Sequence, residues 1–147
     1  MRWRFLDRIE AFEPWGSLKG RKSISLEEYS LLESLGRKGV FPETLVLESC
    51  VHLGRWLVAR SSDFDKTCLL SEVDHFAFMN QVGMGQILTL TAVVRRREGD
   101  ALVIGCEVSD GERQVCTGML TLGLVPLSEV LDQETPKAMW QELYGKA

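Results

Sequence analysis

Histidine is scarce in this 147-residue chain, which has only His52 and His75, and no two cysteines stand in a CxxC arrangement. Metal ions such as zinc are held by clustered Cys and His at short spacings, so neither a metal site nor a cofactor is expected. A basic excess is also missing. The formal net charge of −4 argues against a nucleic-acid partner, because phosphate contacts demand a basic surface. The N-terminal MRWRFLDRIE carries charges where a secretory signal has its apolar core, and Cys50, Cys68, Cys106 and Cys116 show no pairing pattern, so the expectation is a reduced, cytoplasmic protein. No repeat or low-complexity stretch is found. The length suits one domain, 1–147, able to bury a core without disulfides.

What is present centres on residues 40–60, VFPETLVLESCVHLGRWLVAR. Between Leu45 and Ala59 nearly every position is apolar or small, so a helix here is expected to lie inside the protein. It is too short and too polar at its edges to span a membrane. Pro42 suits a helix start, where its missing N–H removes no helical bond, and Glu43 sets negative charge at the positive end of the dipole. Glu48 and His52 are four apart and therefore share a face of this helix.

Before the helix, residues 3–12 read as a strand or extended arm closed by the turn Glu13-Pro14-Trp15-Gly16. Residues 17–25 read as a second, more exposed strand, and 26–37 as a short helix with Ser25 as its N-cap. Beyond Ser61-Ser62-Asp63 the period changes to alternation: strands are expected over 68–79, 86–97, 101–109 and 112–125. Glu98-Gly99-Asp100 and Asp110-Gly111 are hairpin turns, the latter a two-residue signal, so the stretch 68–125 reads as an antiparallel meander. Pro126 ends it, and Thr135-Pro136 opens a last amphipathic helix with Met139, Trp140, Leu143 and Tyr144 as its apolar side. The chain thus divides into N-terminal strands and loop (1–39), central helix (40–60), meander (68–125) and tail (126–147). An α+β architecture follows, a curved antiparallel sheet wrapped around one helix.

Several of these residues resemble the hot-dog-fold 3-hydroxyacyl-acyl-carrier-protein dehydratases. Phe5-Leu6-Asp7-Arg8-Ile9 resembles that family's early "LLDRV" strand, and Phe41-Pro42 with Leu45-Val46-Leu47-Glu48 resembles its "FPG-VLILEA" helix start. Residues 73–88, with Phe78 and Gly85, are similar to its "GIDKARFRRPVVPGDQL" segment. The resemblance implies a hot-dog fold, a dimer whose two sheets join into one, an acyl tunnel at the interface, and an acyl-carrier-protein or coenzyme A thioester as ligand. It places Glu48 on the catalytic acidic residue and Phe41, Pro42, Glu43, Ser34 and Phe78 along the substrate.

The departures are specific. The family's catalytic histidine, in a "GHFPGKP" loop fourteen positions before the glutamate, falls on Ser34, and the glycine of "FPG" falls on Glu43. Where the family has glutamine one helical turn after the glutamate, this chain has His52. Removing water from a 3-hydroxyacyl thioester needs a base, an acid and N–H donors for the enolate oxygen, and a serine hydroxyl is no base near neutral pH. His52 could act as base beside Glu48, or the two could merely satisfy each other in a polar pocket between helix and sheet. His75 and Cys50 read as packing or surface residues. Arg95, Arg96 and Arg97 read as a solvated strand end or, with Lys38, as a docking patch for an acidic carrier. Three functions stay open: a degenerate dehydratase acting as acyl-binding subunit, as a homodimer or beside a catalytic paralogue; an active lyase using Glu48 with His52; and a thioesterase using Glu48.

Overall fold

The computed structural model describes residues 5–24, 41–83, 85–129 and 134–144. The expected helix over 26–37, together with Ser34 and Lys38, lies outside them.

The chain enters on β1 (Arg8–Glu13), turns where the Gly16 N–H donates to the Glu13 carbonyl at 2.9 Å, and returns as β2 (Ser17–Ser23). The turn takes Trp15 to φ 54°, a left-handed position. In β2 the alternate residues Leu18, Gly20 and Lys22 are buried and their neighbours are not. The strand is therefore half inside and less exposed than β1, against the expectation of a more exposed second strand.

The central helix, α1 (Glu43–Ser61), follows, then β3 (Lys66–Phe78), β4 (Ile87–Glu98), β5 (Ala101–Ser109) and β6 (Gln114–Pro126). A short 3₁₀ turn, Leu127–Glu129, precedes the last helix, α2 (Glu134–Tyr144). All six strands form one antiparallel sheet in the order β1-β2-β4-β5-β6-β3. Only β4, β5 and β6 form a meander. β3 does not lie beside β4 as expected; it crosses to the far edge and pairs with β6, leaving the flank of β4 to β2. Alternation within a strand reveals its inward face but not its neighbour, so sequence order supplied the wrong partner.

The turn at Asp110 also differs from expectation. It has four residues, 110–113: the Asp110 N–H donates to the Arg113 carbonyl at 3.0 Å, and Asp110 Oδ1 accepts from the Glu112 and Arg113 N–H groups. An Asx cap, not a two-residue hairpin, reverses the chain here.

One face of α1 packs on the sheet. Cys50, Leu53, Gly54 and Leu57 are buried against Leu90, Ile104, Leu120 and Leu122 in a single core. Helix and sheet approach closely at Gly54, where an added Cβ would stand 2.7 Å from Leu122 Cδ1. The opposite face is not enclosed. Leu47, Glu48, His52, Arg55 and Trp56 are only partly buried, so the all-round burial expected of this helix is corrected: the sheet covers one side. α2 buries Pro136, Trp140 and Leu143 as its apolar side, with Tyr144 stacked on Trp140 at 5.1 Å.

Candidate functional site

The N-terminus of α1 is fixed by an isolated antiparallel bridge. The Phe41 N–H donates to the Val82 carbonyl at 2.7 Å, tying the residue before Pro42 to the segment between β3 and β4. Pro42 has φ −59° and ψ 141° and stands just ahead of the first helical residue, its carbonyl accepting from the Leu45 and Val46 N–H groups. Glu43 occupies the first turn, where its charge complements the dipole. Phe41 is buried in the core, and Phe78, at the end of β3 opposite Cys116, is half exposed beside Phe76.

One turn further along, His52 Nε2 lies 3.6 Å from Glu48 Oε1. That is an ion-pair approach and too long for a hydrogen bond. The side chains are 42% exposed for Glu48 and 32% for His52. The pair therefore does not sit between helix and sheet; it stands on the outward face, within reach of a ligand or another chain. The Phe5 ring stacks on the His52 imidazole at 4.5 Å with the planes 18° apart. Two influences on His52 oppose each other. Burial, and then the charge of Arg55, lower its proton affinity, while Glu48 raises it; the lowering wins, so the imidazole is neutral at neutral pH.

Arg55 is the residue that sequence reasoning passed over. It is seven positions from Glu48, which puts it on the same stripe two turns on, and the spacing alone could have flagged it. Its charge is felt by His52 and also by Cys68 on β3, whose thiol burial nevertheless pushes up to about 12. No carboxylate among the described residues lies within 4.0 Å of Arg55.

Beneath the pair, three thiols meet. Cys50 of α1 is hydrogen-bonded to Cys106 of β5 and Cys116 of β6, and these contacts together with burial hold its proton well above the usual thiol range. Such a group is inert packing. Among the described residues no set of three His, Cys, Asp or Glu is placed to hold a metal ion, and no helix is long and apolar enough to cross a membrane.

The arginine run is split. A bulge between Val94 and Arg96 shifts the register, so Arg97 falls opposite Leu102 on the helix side, where its guanidinium lies 3.8 Å from the Trp15 ring centroid. Arg96 pairs with Glu98 at 3.4 Å, and Arg95 covers Gly105. The Trp15 backbone N–H donates to Ser61 Oγ at the C-terminal end of α1, so Arg97 is at the opposite end of the helix from Glu48. His75, on β3 at φ 52°, is exposed and pairs with Asp74 at 3.4 Å. A cavity of about 790 Å³ also lies at that far end, walled by Phe12, Arg60, Trp140 and Tyr144. Neither Glu48 nor His52 lines it.

No family model matches the chain. Curated relatives do. The 3-hydroxyacyl-acyl-carrier-protein dehydratase FabZ of Levilactobacillus brevis is 25% identical over 118 residues, covering 80% of each chain. FabZ of Aliarcobacter butzleri is 31% identical over 120 residues, covering 73% of this chain and 82% of the relative. The chain belongs to the FabZ dehydratase family. Solved structures agree on the fold of this FabZ-family chain. A hot-dog-like protein from Thermanaerovibrio acidaminovorans superposes with a TM-score of 0.66 at 17% identity, covering 88% of this chain and 92% of that one. A hypothetical thioesterase with coenzyme A from Streptococcus pneumoniae gives 0.64 at 12% identity, covering 81% and 85%. The fold is thus the expected α+β hot-dog.

Proposed function

We propose that this FabZ-family chain is a dehydratase-like subunit that binds 3-hydroxyacyl thioesters, on acyl carrier protein or coenzyme A, without a complete dehydration site of its own. Dehydration breaks the α C–H and the β C–O bonds. One group must take the proton, another must give one to the departing hydroxyl, and N–H donors must hold the enolate oxygen. Glu48 supplies a carboxylate on an open helix face. Ser34 stands where the family has histidine, and losing an acid–base group costs roughly 10²–10⁴-fold in rate. Where histidine and glutamate come from opposite subunits, a histidine-bearing paralogue could complete one site with this chain's Glu48. The observation that carries this reading is the state of the only imidazole near Glu48 among the described residues: His52 is stacked under Phe5 and 3.6 Å from the carboxylate.

The β3 edge supports a dimer. Leu69, Leu70, Val73, Phe78 and Met79 are exposed on or just after a strand with one neighbour, and unprotected apolar edges of this kind recruit another chain. Exposed Arg95 and Arg96, with Lys38, are the proposed contacts for an acidic carrier protein.

A second reading, a working lyase with His52 as base, is favoured by the exposure of the pair and by the lowered proton affinity that keeps His52 able to accept a proton. One assay separates the readings: purified chain with a 3-hydroxyacyl thioester, followed by mass spectrometry. The expected result is bound thioester with neither product. Loss of water that His52→Gln abolishes would overturn the proposal in favour of the lyase, and release of free thiol would point to a thioesterase.

A further inference from the structure

Arg55 is a partly buried residue with no carboxylate within ion-pair distance among the described residues, so its charge is available to an acidic group of another chain. Its own Glu48 cannot serve. Seven residues of helix separate the two by about 10 Å along the axis.

Glu48, Val51 and Arg55 form one stripe of α1 at i, i+3 and i+7. That stripe leans toward β3, because the charge of Arg55 reaches Cys68 on that strand. On the other flank of the outward face, His52 lies under Phe5 and Trp56 faces Trp140, whose edge meets Phe12 of β1. Glu48 and Arg55 are both partly exposed, with Val51 between them packed into the core, and the edge strand β3 carries exposed apolar residues.

A second copy docking on β3 by antiparallel pairing is related to the first by a two-fold axis perpendicular to the sheet. That axis carries α1 to an antiparallel α1 on the same face of the joined sheet. Glu48 and Arg55 lie equally far from the midpoint between Val51 and His52, so the stripe is self-complementary about that point. An axis passing there sets each acid opposite the other subunit's base.

We propose that Arg55 of one subunit is the counter-ion of Glu48 in the other, so that each site carboxylate is completed across the two-fold. This rests on the dimer reading above. The pair aims the Glu48 side chain along the interface. Arg55 is thereby a positioning residue contributed in trans.

Charge exchange tests it, read by sedimentation across a concentration series. Wild type is expected to be a dimer. Glu48→Arg and Arg55→Glu are each expected to loosen it roughly tenfold or more, and the double exchange to recover most of that loss. Single variants as tight as wild type, or a double variant as weak as the singles, would overturn the pairing while leaving the dimer intact. A wild type that is monomeric throughout overturns both. Far-UV circular dichroism confirms folding, and if a reversed charge unfolds the chain, Glu48→Gln and Arg55→Met in a double-mutant cycle read the same coupling.

Discussion

At the residue level, His52 gives the clearest sign to test. Its proton affinity is lowered from the ordinary 6.5, by burial first and by Arg55 second. The unfolded chain therefore takes up this proton before the folded one does. Stability from this group is full above 6.5 and is lost as pH falls toward the folded value. The melting temperature of wild type should drop more steeply than that of His52→Gln between neutral and mildly acid pH; parallel slopes would refute the assignment. The cysteines give a second check. With the Cys68 thiol pushed up to about 12 and Cys50 higher than usual, these two positions should resist alkylation at mildly alkaline pH in the folded protein and label once it is denatured. Glu48 and His52 were legible in the sequence because helical spacing puts them on one face whatever surrounds them. Their exposure was not, since apolar neighbours at 45–59 suggested burial on every side. Arg55 was missed although its spacing from Glu48 marks the same stripe, because a lone arginine on a helix belongs to no motif.

At the level of elements, the central helix, the strands and the last helix could be read from period and punctuation, while the Asp110 turn could be placed but not typed. Bounds moved by a few residues, as for β3, which starts at Lys66. What period could not give was the distance between layers. Gly54 looks in sequence like a weak point in a helix, yet it is where α1 meets Leu122 and Ile104, whose Cδ1 atoms would stand 2.7 and 3.1 Å from an added Cβ. Ala normally favours helices, but here overpacking dominates. Gly54→Ala should lose about 1–3 kcal/mol in denaturant melts, and a variant as stable as wild type would show that the helix can slide. Gly118, under the Phe76 ring, is a similar approach in β6. No pattern in the chain announces either one.

For the whole molecule, the strand order decides what is exposed. Because β3 leaves the meander for the far edge, its apolar residues meet solvent in the single chain instead of β4. Val73→Lys should therefore shift a dimer toward monomer without lowering the monomer's own melting temperature much, as light scattering and calorimetry would record. No change in mass would remove β3 as the joining edge. Ser34→His is the matching functional test. Turnover of a 3-hydroxyacyl thioester should rise in the variant, and a folded, dimeric protein that gains nothing would count against the missing-histidine account. The gathering of Trp15, Trp56 and Trp140 around the C-terminal half of α1 also bears on how this protein can be watched. Emission from these three side chains will follow the docking of α2 and the β1–β2 turn. Their share of the signal will change little when a thioester settles near Glu48, so a small response from them is not a sign of an empty site.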